Sequence, residues 1–381
     1  MVQSKRIALD LRRIKNPGIG RYMKCLVEAL LAREPEHEYL LIMLPGTEEM
    51  IKTSAAHAER ISVKLKYYSI REQIELPKIL RARGVDLLHS PHFMLPLRRT
   101  CPSVVTIHDV IYLACKEDLP SRLGRFYYRT MMAAAARSAD RIITDSEFSK
   151  QEIMRYLHVE SSRIDVIYPA VAADFHKVAD ESRLQQVRAR YGINGKYVLY
   201  TGIFKPRKNH AGLLRAFKHL LDTVGDAQLV IAGPGNEEEA ELYGLARDLG
   251  IAEKVMFTGF VQEADLPALY SAAYIYACPS LYEGFGFIVL EAMACGVPVV
   301  CSAATSLPEV AGDAALYADS RIPEQFGRAL VEVWTNCELR NSLIQKGRDN
   351  LRRFSWERTA EQTLAVYHQA LGIVSERAVI A

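Results

Sequence analysis

Residues 274–303 read YIYACPSLYEGFGFIVLEAMACGVPVVCSA, and their pattern decides the fold. YIYACPS (274–280) and PVVCSA (298–303) are short apolar runs, and GFIVLEAMAC (286–295) between them has the length and composition of a helix. Strand, loop, helix and strand in that order make a βαβ unit. Its strands are apolar at nearly every position, as strands covered on both faces are.

The same alternation runs outward in both directions. Towards the N-terminus, KYVLYTG (196–202), AQLVIAG (227–233) and KVMFTGF (254–260) read as strands, with helices over 210–223, 237–250 and 264–273. ALYA (315–318) is a last short strand, and the remainder is helical. The first half repeats the pattern. RIALDL (6–11), EYLLIML (38–44), VDLLHS (85–90), SVVTIHD (103–109) and RIITDS (141–146) read as strands, with helices over 21–34, 71–83, 122–138 and 147–157. The rhythm breaks between Tyr168 and Tyr191, where YPAVAADFH has no period and a charged helical stretch follows; this is the linker. Two doubly wound α/β domains follow, about 1–180 and 181–357. Open parallel sheets bind ligands beyond the carboxyl ends of their strands, where strand order reverses. Two such domains facing across a cleft would offer one site for a donor and one for an acceptor.

The bulk numbers exclude several classes. A chain of 381 residues with 49% hydrophobic and 24% charged residues is ordinary globular material. Net charge is +3, divided as +6 over residues 1–185 and −3 over 186–381, so the first half suits an anionic partner. The seven cysteines are odd in number, lack a CxxC pair and fall partly in apolar runs; they read as buried free thiols of a reducing cytosol. MVQSKRIALDL carries no secretory pattern, and no run of about 18 apolar residues is present to span a membrane. A cytoplasmic location is expected, with peripheral contact at the membrane's inner face left open.

The chemistry concentrates in the loop between 280 and 287. Gly284 and Gly286 let backbone N–H groups approach a ligand closely, and the helix that opens at Phe287 presents its N-terminal amides to an anion such as a diphosphate. Glu283 lies in the loop, where a carboxylate accepts hydrogen bonds from sugar hydroxyls; Glu291 lies in an otherwise uncharged helix and can accept two ribose hydroxyls. PRKN (206–209) supplies Arg207 and Lys208 beyond another strand, a fork and a point charge for phosphate, with Lys205 as a third cation. His108 ends the SVVTI strand; His89 and His92 flank Ser90-Pro91 and read as pocket-shaping. Gly18 and Gly20 open the first helix but lack the third glycine of a dinucleotide fingerprint.

EGFGFxxxE followed by AxACGVPVV resembles the family-4 retaining glycosyltransferases, and within them bacterial mannosyltransferases of surface-polysaccharide assembly. GIGRY (18–22), HSPH (89–92), TIHD (106–109), TDSEFS (144–149), PRKN (206–209), FTGFV (257–261), LPEVAGDAA (307–315) and FSWE (354–357) agree in order and spacing over nearly the whole chain.

The resemblance implies a GT-B fold whose C-terminal helix, about 358–381, crosses back to brace the acceptor-binding N-terminal domain. It implies a hexosyltransferase that uses a nucleotide-sugar donor, GDP-mannose first, and a glycan or lipid-linked glycan acceptor. Neither a metal cofactor nor a nucleic-acid partner is implied. Glu283 would hold the transferred sugar and Glu291 the donor ribose. Phe285, Gly286 and Phe287 would line the sugar and phosphate site, and Gly259, Phe260 and Val261 would meet the base. Gly18 and Gly20 would touch donor or acceptor, His108 would lie near the reacting sugar, and Arg207 and Lys208 would take the leaving charge. Some relatives carry a further arginine after the strand glycine, where this chain has Ile203. The alternatives are UDP-sugar-dependent transfer of glucose, galactose or N-acetylglucosamine, and a nucleotide-sugar epimerase of the same fold.

Overall fold

The computed structural model describes residues 4–373 apart from 34–36, 54, 66, 68, 97, 120 and 236. Two compact units divide the chain. The first is residues 1–114, 119–169 and 355–381, and the second is 115–118 with 170–354.

In the N-terminal unit the described elements run β1 (Arg6–Asp10), α1 (Ile19–Ala32), β2 (Glu38–Met43), β3 (Ala58–Ser62), α2 (Ile70–Ala82), β4 (Leu87–Ser90), β5 (Ser103–Thr106), α3 (Ile111–Ala114), α4 (Arg122–Ser138), β6 (Arg141–Thr144), α5 (Glu147–Leu157) and β7 (Ile164–Val166). The strands form one parallel sheet in the order β3-β2-β1-β4-β5-β6-β7, so strand order reverses between β1 and β4. Ala8, Leu40, Leu88, Val105 and Ile142 of its central strands are buried under α2, α4 and α5. The second unit holds α6 (Glu181–Arg190), β8 (Tyr197–Thr201), α7 (His210–Val224), β9 (Gln228–Ala232), α8 (Glu237–Asp248), β10 (Val255–Gly259), α9 (Leu266–Ser271), β11 (Ile275–Cys278), α10 (Phe287–Ala294), β12 (Val299–Ser302), α11 (Leu307–Ala311), β13 (Ala315–Ala318), α12 (Pro323–Thr335) and α13 (Cys337–Asn350). Its parallel order is β10-β9-β8-β11-β12-β13, reversing between β8 and β11.

The helix α14 (Trp356–Ala370) returns to the N-terminal unit. Ser355 caps it by accepting from the Arg358 N–H at 3.1 Å, Thr359 Oγ1 donates to the Tyr168 carbonyl at 2.7 Å, and Tyr367 Oη meets His89 Nδ1 at 2.6 Å. Of the expected 358–381 stretch, residues 374–381 lie outside the described residues.

Three features depart from the sequence reading. β3 and β7 were not anticipated, because AERIS is largely exposed and IDV is only three residues long, so neither gives an apolar run. The charged helix expected inside the linker is α6, and it is fixed to the second unit. Arg183 and Arg190 each reach a different oxygen of buried Asp265 at 2.6 Å, and Tyr191 donates to the second oxygen at 2.8 Å. Cys278, Cys295 and Cys301 are buried free thiols as expected, but Cys25, Cys101 and Cys115 are only half-buried and Cys337 is exposed, because it opens α13 immediately after the capping Asn336.

Candidate functional site

In the second unit the two loops at the reversal of strand order meet. β8 is followed by Gly202 and then by the single turn Pro206–Lys208. Asn209 closes that turn in the left-handed region (φ 56°) and caps α7, its Oδ1 accepting from the Gly212 N–H at 3.2 Å while its Nδ2 donates to the Ser320 carbonyl at 2.7 Å. β11 is followed by Pro279–Gly286, and the Leu281 N–H donates to the Arg207 carbonyl at 2.7 Å, which ties one loop to the other. These are the strand ends at which doubly wound sheets bind ligands.

Within the crevice Lys208 Nζ donates to Glu283 Oε1 at 2.5 Å, and Arg207 Nη1 stands 3.8 Å from Glu283 Oε2. Arg207 Nε donates to Asp118 Oδ2 at 2.5 Å. All four side chains are about nine-tenths buried or more. Burial pushes the Glu283 carboxyl up, but the charges of Lys208 and Arg207 outweigh it and hold its pKa below the usual value. The cluster is therefore two cations facing two carboxylates, with Glu283 ionised.

The loop carrying Glu283 is braced from the β12 side. The Glu283 N–H donates to Thr305 Oγ1 at 3.1 Å, and Ser306 Oγ lies 3.0 Å from the carbonyls of Glu283 and Phe285. Thr305 itself is left-handed (φ 60°). Gly286 turns the chain into α10 at φ 100°, and a Cβ there would stand 2.8 Å from Leu307 Cδ2. We therefore expect Gly286→Ala to cost about 1–3 kcal/mol through backbone strain and to move the loop, read by urea unfolding; an unchanged midpoint would contradict the strain. Among the described residues no side chain caps α10 and no acid lies in its first turn, so its positive end faces the crevice uncompensated from within the helix. Glu291, one turn further on, is buried and accepts from Tyr270 Oη at 2.9 Å; Tyr270 and Tyr276 both meet Thr201 Oγ1, at 2.6 and 3.0 Å.

Gly259 ends β10 with φ 66°, Phe260 beyond it is 70% exposed, and Val261 is buried. Phe285 is buried with its ring centroid 5.1 Å from that of Phe287. Lys205 is the extended residue before the Pro206 turn, and Ile203 is exposed. Arg207, Lys208, Glu283, Phe285 and Gly286 thus lie on the two joined loops, and Phe287 and Glu291 on the helix α10 that follows one of them. Sequence reasoning did not reach Asp118, Thr305, Ser306 or Tyr270. Thr305 and Ser306 immediately precede the LPEVAG motif, which was the available signal.

The N-terminal unit holds the remaining residues. Gly18 precedes α1 with φ 75°, and Gly20 is required for close approach, since a Cβ there would fall 2.0 Å from the Ile14 carbonyl oxygen. His108 Nδ1 donates to Asp145 Oδ2 at 2.7 Å and Nε2 to the Pro91 carbonyl at 3.2 Å. Burial draws the His108 pKa down, but Asp145, its hydrogen bond, Asp109 and the Pro91 carbonyl together raise it above the ordinary value. His89 is pushed down to about 3, chiefly by burial, and His92 is also lowered by burial with Arg13 beside it. Of the three rings, His108 is the one whose charged form its surroundings favour, while those of His89 and His92 favour the neutral form. Because the folded His108 pKa is raised, its contribution to stability is complete below 6.5 and is lost as pH rises through the folded value. We expect the melting temperature to decline above that pH, and less so in His108→Gln; equal slopes in both proteins would rule out the ion pair as the cause.

The loops after β8 and β11 thus gather a buried arginine, a lysine, a carboxylate and a helix N-terminus at the switch point, where doubly wound sheets bind ligands. The chain belongs to the family-4, group 1 glycosyltransferases: the model described as Glycosyltransferase Family 4 matches residues 17–175, and that described as Glycosyl transferases group 1 matches 185–350. It is 34% identical over 375 residues to O-antigen chain mannosyltransferase B of Escherichia coli, covering 93% of this chain and 97% of that one. In fold it is similar to sucrose-phosphate synthase from Thermosynechococcus elongatus (TM-score 0.77, 22% identity, 97% of this chain and 100% of that one). It is likewise similar to Anabaena HepE in complex with UDP and glucose (TM-score 0.75, 18% identity, 96% and 100%). The protein is a hexosyltransferase.

Proposed function

We propose that this enzyme transfers mannose from GDP-mannose to a growing glycan or lipid-linked glycan, with retention of anomeric configuration and without a metal ion. The observation that carries the reading is the pair Arg207 and Lys208, both on Glu283 within the β8–β11 crevice beside the N-terminus of α10. Such a site stabilises a departing diphosphate by preorganised charge. Mannose is favoured by the mannosyltransferase relative, with which this chain aligns almost end to end.

On this reading the second unit binds the donor. Glu291 takes the ribose, and Gly259, Phe260 and Val261 take the base. Phe285 and Phe287 line the pocket beside the diphosphate, which docks at the turn through Gly286. Glu283 holds hydroxyls of the sugar. The N-terminal unit binds the acceptor through the loops at Gly18, Gly20 and His108. His108 Nε2 exchanges its 3.2 Å bond to the Pro91 carbonyl for a sugar hydroxyl. The acceptor oxygen forms its bond to the anomeric carbon on the face from which the diphosphate leaves. The carbon–oxygen bond to the diphosphate breaks, the electron pair stays on the leaving oxygen, and that oxygen takes the acceptor's proton.

Calorimetry with GDP-, UDP- and ADP-sugars, followed by NMR of the product anomer with and without EDTA, tests each part. Tight binding of GDP-mannose, an α-linked product and undiminished rate in EDTA are expected. Preference for a UDP-sugar would overturn the donor, a β-linked product the stereochemistry, and metal-restored activity the metal independence. Epimer formed without any acceptor would overturn transfer itself.

A further inference from the structure

We infer that Thr305 is a positioning residue for sugar transfer: its backbone is held in an unfavourable conformation so that its hydroxyl fixes the direction of Glu283. This rests on the reading of Glu283 as the group that holds the sugar. Among the described residues three other than glycine have a left-handed φ: His158 at 55°, Asn209 at 56° and Thr305 at 60°. The first two have an ordinary cause. His158 ends α5, its N–H donating to the Met154 carbonyl at 3.1 Å, and Asn209 closes the 206–208 turn and caps α7. Helix and turn ends use this conformation, and histidine and asparagine enter it more readily than most residues. Neither cause applies to Thr305. It lies between β12 and α11, ends no helix, and is β-branched, so its side chain crowds the backbone there. Glycine would take the same φ without that strain. Strain of this kind persists where the surroundings over-determine it, and it gathers at functional sites.

What surrounds Thr305 is the Glu283 loop. Thr305 Oγ1 donates to the Ala304 carbonyl at 2.8 Å and accepts from the Glu283 N–H at 3.1 Å. A hydroxyl has a single proton, and the Ala304 carbonyl takes it, so the oxygen lone pairs are left for Glu283. Ser306 Oγ holds the other side, 3.0 Å from the Glu283 carbonyl. Both peptide groups of Glu283 are thereby held from the loop between β12 and α11, one by each hydroxyl, across 22 and 23 residues of sequence. With its peptide planes fixed, the Cα–Cβ bond of Glu283 has one direction, which sends the carboxylate to Lys208 Nζ at 2.5 Å and to within 3.8 Å of Arg207 Nη1. A right-handed or extended residue 305 would swing its side chain to another side of the chain and leave the Glu283 N–H without this acceptor. The left-handed turn and the hydroxyl therefore act together, and Thr305 works through Glu283 and not on the sugar itself.

The test separates the hydroxyl from the strain, in the full chain. Thr305→Ser keeps the hydroxyl, Thr305→Ala removes it and keeps the strain, and Thr305→Gly removes both. Transfer is followed with GDP-mannose, and GDP binding by calorimetry. Thr305→Ala and Thr305→Gly should each lower kcat by about 10–10²-fold, with GDP affinity changed by less than about twofold. Thr305→Ser should recover most of the rate. In urea, Thr305→Gly should unfold at a midpoint about 0.5 M above that of Thr305→Ala. A residue that served only stability would give the opposite pattern, with the more stable glycine variant also the more active. Thr305→Gly as fast as the parent, or Thr305→Ser as slow as Thr305→Ala, would overturn the proposal. A second readout needs no donor. Lys208→Met should lower the urea midpoint about half as much in Thr305→Gly as in the parent, because a released Glu283 carboxylate reaches water; equal shifts would also overturn the proposal. If the parent transfers no mannose, or Glu283→Gln transfers as fast as the parent, the proposed function fails, while unequal shifts in urea still place Glu283 under the control of Thr305.

Discussion

Glu283→Gln is expected to slow sugar transfer by about 10²–10³-fold while nucleoside diphosphate binds at least as tightly as in the parent. The side chain keeps its shape and its place between Thr305 and Ser306, because those residues hold its backbone N–H and carbonyl and not its carboxylate. What is lost is one negative charge beside Lys208 and Arg207, at 2.5 and 3.8 Å. Two cations that had shared that carboxylate then face the diphosphate with less compensation, which favours the ground-state complex and the product. The sugar, in contrast, loses an ionised acceptor for its hydroxyls. Calorimetry with GDP and single-turnover kinetics separate the two effects. Weaker GDP binding with unchanged turnover would place Glu283 on the nucleotide and not on the sugar.

Lys208→Met should destabilise the protein by about 3 kcal/mol, because it removes the nearer cation from a buried carboxylate and leaves only Arg207, at 3.8 Å and shared with Asp118, beside it. The cost belongs to the poorly compensated charge, so Lys208→Met with Glu283→Gln should recover most of the loss. Neither variant should transfer sugar, since both lack a cation for the leaving group. Urea unfolding of the parent, the single variants and the double variant forms a complete cycle. Additive losses in the double variant would mean that the two side chains do not interact as their geometry indicates.

Most of the fold was legible because each βαβ unit declares itself locally. YIYACPS, EGFGF and PVVCSA lie within 30 consecutive residues, and the strand, glycine loop and helix they encode needed no distant partner to be recognised. The reversal of strand order at β8 and β11 then brings Arg207 and Lys208 to Glu283 across 75 residues of sequence. The sequence could only place both groups at strand ends.

Other features depend on tertiary contacts that leave no periodic signal. Asp118 sits in a three-residue turn in the first half of the chain, yet it clasps Arg207, 89 residues away. Nothing in KED distinguishes it from an exposed acidic turn. Tyr270 was legible as an apolar residue of α9, but not as the hydroxyl that gives buried Glu291 its partner. β3 was invisible for the opposite reason: as an edge strand with polar residues it satisfies its backbone through β2 alone.

The most direct test of the account is a crystal structure of the enzyme with a nucleoside diphosphate hexose bound. The diphosphate should lie against the backbone N–H groups at the start of α10, with Arg207 and Lys208 turned from Glu283 and Asp118 onto its oxygens and the Glu283 carboxylate on sugar hydroxyls. A ligand seated away from the ends of β8 and β11, or a diphosphate that leaves Arg207 and Lys208 on their carboxylates, would contradict it.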